Sequence, residues 1–198
     1  MRIISGTHKS RQIHAPKNLP VRPTTDLAKE AIFNILVNNF DLEDVHVLDL
    51  FAGTGNITYE FASRGAAGVT SIDIDLRCVN FIRKTVAEMG FSAVLSFRSD
   101  AFRFLKNCDY QYDIIFCDPP YELEGIEEIP VTVYERNLLK TDGWLILEHS
   151  RDYDFSNSPG FLQHRKYGKV NFSIFGPGNS SEVENNQPDD SGTLPDPE

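Results

Sequence analysis

Cysteine is scarce in this chain: Cys78, Cys108 and Cys117 are the only three in 198 residues, and they form no C-x-x-C pair and no zinc spacing. That excludes a disulfide framework and fits small apolar fillers in a reducing compartment. Long apolar runs are missing too, and nothing approaches the roughly 18 residues a membrane helix needs. The opening "MRIISGTHKSRQ" has no apolar stretch after its first charge, which argues against a secretory signal. His8, His14, His46, His149 and His164 share no ligand spacing, and H-E-x-x-H is absent, so no metal is expected. G-x-S-x-G is also absent, leaving serine-hydrolase chemistry unsupported. A cytoplasmic monomer with no membrane partner is the expectation.

Positive charge is short as well, 19 Lys and Arg against 29 Asp and Glu for a net charge of −10. Its distribution matters more than its sum. Residues 177–198, "PGNSSEVENNQPDDSGTLPDPE", hold six acids and no base, so the rest of the chain carries −4. So polar a segment cannot offset the entropy of ordering, and an acidic, disordered tail is expected there. Residues 1–25 are the opposite, with Arg2, Lys9, Arg11, Lys17 and Arg22 and no acid. A basic arm on a mildly acidic body fits recognition of nucleic acid over one small patch.

Between these ends, 26–176 reads as one domain. "TTDLAKEAIFNILVNNF" brings Leu27, Ala31, Ile32, Ile35 and Leu36 together at helical spacing, with Thr24 or Thr25 as N-cap. Short apolar runs then alternate with helical segments: "VHVLDLFAG", "GVTSIDID", "AVLSFRSD", "YDIIFCD" and "WLILEHS" are the strands. A helix interrupted at Pro130 is expected before the last of them. "FLQHRKYGKVNFSIFG" reads as a hairpin turning at Tyr167-Gly168-Lys169. The pattern predicts an α/β fold, a mainly parallel sheet with an antiparallel pair at its edge.

Two corners carry chemistry. In "VLDLFAGTGNITYE", Gly53 and Gly55 flank Thr54 between a strand and a helix, where glycines permit a sharp turn and close approach of a ligand. Thr58 occupies the third glycine position of G-x-G-x-x-G, and no Lys follows as a phosphate loop requires, so a pyrophosphate ligand is disfavoured. Asp49 enters the same turn, where a carboxylate attracts a cation. Asp73 ends the second strand and is placed for ribose hydroxyls, while Asp75 reads as a helix cap. Asp100 ends the third strand, either to meet an adenine amine or to cap "AFRFLKN". Acids ending three successive strands suit a nucleoside bearing positive charge, such as S-adenosylmethionine.

Asp118-Pro119-Pro120-Tyr121 follows the fourth strand. Proline biases the residue before it toward extended backbone and supplies no N–H, so the carbonyls here form a stiff rim of acceptors. An exocyclic amine is a poor nucleophile because its lone pair is delocalised into the ring. Acceptors at Asp118 and the Pro119 carbonyl favour the pyramidal amine, and Tyr121 can stack on the base. The signal is specific for amine methyl transfer and weak for which base.

With both corners in place, the chain resembles the bacterial 16S ribosomal RNA guanine-N2 methyltransferases of the RsmD family. "RIISG", "LPVRPTTDLAKEAIFNIL", "VLDLFAGTGNITYEFASRGA", "FCDPPYE" and "RKYGKVNFSIF" carry the resemblance from about Met1 to Phe175. It implies a Rossmann-like, seven-stranded methyltransferase sheet with S-adenosylmethionine held by Asp49, Phe51, Gly53, Gly55, Asp73 and Asp100. It also implies chemistry at Asp118, Pro119 and Tyr121, and 16S rRNA, within a small-subunit assembly particle, met by Lys9, Arg11, Arg22, Pro23, Thr24 and Tyr121. Glu60 is expected to pair with Arg22 or Arg64. Asn56 and Ile57 depart from the small residue and leucine common in the family. Rival readings are an adenine-N6 or other amine methyltransferase and a non-catalytic assembly factor bound to rRNA.

Overall fold

The computed structural model describes residues 1–16, 19 and 26–177. Arg22, Pro23, Thr24, the Thr24 or Thr25 cap and the acidic tail from residue 178 lie outside them. Twelve elements follow in chain order: α1 (Asp26–Val37), β1 (His46–Asp49), α2 (Asn56–Ser63), β2 (Gly68–Asp73), α3 (Leu76–Met89), β3 (Val94–Arg98), α4 (Ala101–Asn107), β4 (Tyr112–Cys117), α5 (Glu128–Glu135), β5 (Leu139–His149), β6 (Phe161–Tyr167) and β7 (Val170–Phe175). The strands form a seven-stranded sheet in the order β3-β2-β1-β4-β5-β7-β6. β3, β2, β1, β4 and β5 run parallel, and β7 is antiparallel to both β5 and β6.

Both faces of the central strands are covered, as their unbroken apolar runs demand. Side chains alternate between two cores. Val47, Ile114, Phe116 and Ile146 join α1, α2 and α3 on one face; Leu48, Ile115, Cys117, Leu145 and Leu147 join α4 and α5 on the other. This parity fixes where the polar residues at the strand ends point. Asp49, Asp118 and Glu148 each stand two residues beyond a side chain of the first core, so all three share its face.

The stripe expected on α1 is rotated. The helix buries Ala28, Lys29, Ile32, Phe33 and Leu36, whereas Leu27 is 71% exposed. Phe33 governs the orientation: its ring packs on Phe61 at 4.7 Å and under the Arg64 guanidinium at 4.6 Å. Pro130 does not interrupt α5 but stands in its first turn, where a missing N–H removes no helical bond. β5 begins earlier than "WLILEHS", at Leu139, because its pairing with β4 shifts register between Tyr112 and Ile114.

The basic arm folds back on itself through an Arg2–Gln12 bridge and inserts Ile3 and Ile13 into the first core. Gly6 lies against α2 at φ 84°, and a Cβ there would sit 1.8 Å from the Ser63 carbonyl oxygen.

Candidate active site

The parallel strands end along one edge of the sheet, and the chain order reverses at β1, between β2 and β4. Such a switch point opens a crevice beyond the strand ends. The turn leaving β1 is pinned on both sides, Leu50 N–H donating to the Phe116 carbonyl and Ala52 N–H to the Ile72 carbonyl, each at 2.9 Å. Gly53 and Gly55 both have positive φ, 53° and 81°. At Gly55 the constraint is also spatial, since a Cβ would lie 2.6 Å from the Tyr59 ring.

Each acid expected at the cofactor has a definite place. Asp73 accepts from Gly53 N–H and Asp75 N–H, both at 2.7 Å, one on each oxygen. A carboxylate has about four acceptor sites, so capacity remains for a diol. Burial raises its pKa against those two bonds. Asp49 is 2% exposed and lies beneath the turn, accepting from the Thr58 hydroxyl at 2.5 Å. The residue that breaks the dinucleotide fingerprint therefore ties α2 to the end of β1. Burial pushes Asp49 up to about 7, with the Asp118 and Asp73 charges adding to it and Thr58 opposing. Asp75 caps α3 through Arg77 N–H. Of the two roles open for Asp100 the structure displays the cap, accepting from Arg103 N–H at 2.8 Å. Phe51 is half-buried against the second core.

The second corner adjoins the first. Asp118 is half-buried, Pro119 buried, and Pro120 and Tyr121 exposed. Leu123 N–H donates to the Pro120 carbonyl at 2.9 Å and closes the turn. The Tyr121 ring, 51% exposed, is tethered by its hydroxyl, which donates to Glu148 Oε1 at 3.1 Å.

Glu148 is a residue that the sequence does not single out, standing within the strand run "WLILEHS". Pairing of Cys117 with Leu147 places Asp118 and Glu148 next to one another across β4 and β5. Glu148 is 4% exposed, and its Oε2 has no hydrogen-bond partner among the described residues. Burial raises its carboxyl to about 8, the Asp118 charge adding to the effect. Tyr121 rises to about 12, through burial first and then Glu148. Cys117, buried beside Asp49 and Asp118, is held well above the usual thiol range and so stays an uncharged filler.

Lys29, unremarked in the sequence, lies fully buried. Its ammonium donates to the Asn56 side-chain oxygen at 2.8 Å and the Arg2 carbonyl at 2.6 Å, and pairs with Glu60 at 3.2 Å. This accounts for the unusual asparagine after the glycine turn. Glu60 binds Arg64 at 2.8 Å and accepts from Ile4 and Ser5 N–H; Arg22, the other partner expected for it, lies outside the described residues.

Lys9 and Arg11 are not brought to the crevice. Their turn is anchored where Thr7 and His8 N–H donate to Ser63, the last residue of α2, and where His8 meets Phe91 at 4.6 Å. That is the opposite edge of the sheet, about 12 Å of helix away from the glycine turn.

A family model described as "Conserved hypothetical protein 95" matches residues 1–176. A Bacillus subtilis protein described as an rRNA methyltransferase, YlbH, is 31% identical over 182 residues, covering 88% of this chain and 98% of its own. The ribosomal RNA small subunit methyltransferase D of Escherichia coli K12 is 35% identical over 145 residues, 73% of this chain and 69% of that protein. Among solved structures, the Escherichia coli methyltransferase yhhF superposes with a TM-score of 0.78 at 27% identity, covering 90% of this chain and 98% of that one.

Proposed function

The chain belongs to the RsmD family of ribosomal RNA methyltransferases, and from that premise we propose that it transfers a methyl group from S-adenosylmethionine to the N2 amine of a guanine in 16S rRNA. The observation that carries the reading is the placement of Asp118-Pro119-Pro120-Tyr121 at the end of β4, beside the glycine turn and acids that end β1 and β2.

The donor set fits the cofactor's chemistry. Asp49, Asp73, Asp118 and Glu148 crowd one end of the sheet, and their mutual repulsion contributes to the raised pKa values of Asp49 and Glu148. Such a crevice disfavours phosphate and favours a cation. Asp73 would take the ribose hydroxyls, the Gly53–Gly55 turn would let the ligand lie against backbone, and Phe51 and Asp100 would border it. Bound there, S-adenosylmethionine supplies a methyl group on a cationic sulfur.

Asp118 and the Pro119 carbonyl then accept the two amine hydrogens, freeing the nitrogen lone pair for the methyl carbon. The nitrogen would gain its bond to the methyl carbon as the carbon–sulfur bond breaks, the electron pair returning to sulfur to leave a neutral thioether. The surplus proton on the cationic nitrogen would pass to Asp118 or to water. Tyr121 holds the ring plane, a stacking interaction worth roughly 1–3 kcal/mol. Arg22, Pro23 and Thr24 are proposed as RNA contacts, whereas Lys9 and Arg11 would reach a more distant part of a large substrate.

Radiolabelled S-adenosylmethionine, offered with small subunits from a strain lacking this methylation, should yield label in N2-methylguanosine; label in N6-methyladenosine rejects the guanine assignment. Asp118→Ala should lower turnover at least a hundredfold while cofactor binding persists. Unchanged turnover removes Asp118 from the mechanism.

A further inference from the structure

The crevice poses a problem for an RNA substrate. Its acids favour a cationic cofactor but repel the phosphates flanking any base that enters, so cations outside the crevice must hold the backbone. The arm's Lys9 and Arg11 stand at the far edge.

The β6–β7 hairpin supplies what the arm does not. Residues 161–176 contain Arg165, Lys166 and Lys169 and no acid. All three are exposed, and none enters an ion pair among the described residues. By contrast Arg77 is spent on Asp75 and Arg151 on Asp152.

Strand register locates the cations. β7 is antiparallel to β5, with His149 opposite Asn171, so β7 begins at the edge where β5 ends. β6 therefore finishes there too, Tyr167 opposite Val170, and the Gly168-Lys169 turn overhangs the carboxyl edge. Glu148 pairs with Phe172, and Phe172 pairs with Arg165. Arg165 thus lies in the same row and on the same face as Glu148 and Asp118, three strand spacings from Asp118, or roughly 14 Å. Lys166 lies one residue nearer the rim with its side chain on the other face of this edge strand, and Lys169 stands beyond both, in the turn after Tyr167.

We propose that the β6–β7 hairpin is an RNA-binding surface, in which Arg165, Lys166 and Lys169 contact phosphates flanking the base presented at Asp118. The inference rests on the RNA reading above and adds the surface that offsets the repulsion of the crevice. The turn is short and its strands are paired into the sheet, so the cations are carried on a rigid element and little ordering is required on contact.

The test compares the parent with the triple variant Arg165→Ala/Lys166→Ala/Lys169→Ala, measuring affinity for undermethylated small subunits across a salt series. Losing three phosphate contacts should make the slope of log affinity against log salt shallower by about two, and weaken binding about tenfold at low salt. S-adenosylmethionine affinity and melting temperature should stay at parental values, and Arg165→Lys should keep the parental slope. A folded triple variant with the parental slope overturns the proposal. A parent that neither binds nor methylates subunits at any salt overturns the RNA reading itself, and this surface falls with it.

Discussion

Tyr121 is exposed enough to offer a face to a base, yet it is tethered through its hydroxyl to Glu148, a buried acid one strand over from Asp118. An exposed aromatic without such a tie would sample several rotamers, and a base stacked on it would inherit that freedom. Glu148 is thereby a positioning residue for the proposed acceptor site, acting through the ring. If so, Tyr121→Phe and Glu148→Ala remove the same constraint. Each should weaken kcat/KM by about fivefold, as loss of one hydrogen bond of about 1 kcal/mol predicts, and the double variant should be no worse than either single one. Fully multiplicative losses would show that the two residues act separately. Melting curves would not reproduce this coupling if Glu148 merely packed.

At the scale of elements, the fold was legible wherever burial dictates pattern. The runs ending at Asp49, Asp73, Cys117 and His149 are apolar because both faces are covered, and the turn at Gly168 follows from its hairpin. What sequence could not reveal is partnership across elements. Lys29 sits on the buried side of α1 because Glu60, Asn56 and the Arg2 carbonyl, from α2 and the arm, converge on it; a helical stripe drawn from apolar residues alone skips it and selects Leu27. Glu148 was missed for the same reason, since only register sets it beside Asp118. The Lys29 cluster joins α1, the arm and the first turn of α2 beneath the glycine turn. Removing one member of a buried ion pair typically costs 3–5 kcal/mol. Glu60 keeps Arg64 and two backbone N–H groups, so Lys29→Met should cost about 3 kcal/mol, near the lower end of that range. That corresponds to a fall of roughly 10 °C in melting temperature. A variant melting with the parent would show that the cluster contributes nothing net.

For the whole molecule, the acidic crevice links protons to stability and to binding. Glu148 and Asp49 hold their protons up to about 8 and about 7, against 4.5 and 3.8 for the ordinary side chains. A raised carboxyl binds its proton more tightly folded than unfolded. Its stabilisation is therefore complete below the ordinary value and is lost as pH rises through the folded one. Glu148→Gln escapes that loss, so its melting temperature should gain on the parent's steadily between pH 5 and pH 9. A cation in the crevice favours the ionised acids, and by reciprocity their ionisation favours the cation. Binding of S-adenosylmethionine should then release protons and tighten from pH 6 to pH 8. S-adenosylhomocysteine, whose sulfur is neutral, should change much less over the same range. Calorimetry in buffers of different ionisation heat measures both. Equal proton release for the two ligands would mean that the carboxylates do not sense the sulfonium, and the electrostatic argument for the cofactor site would be lost.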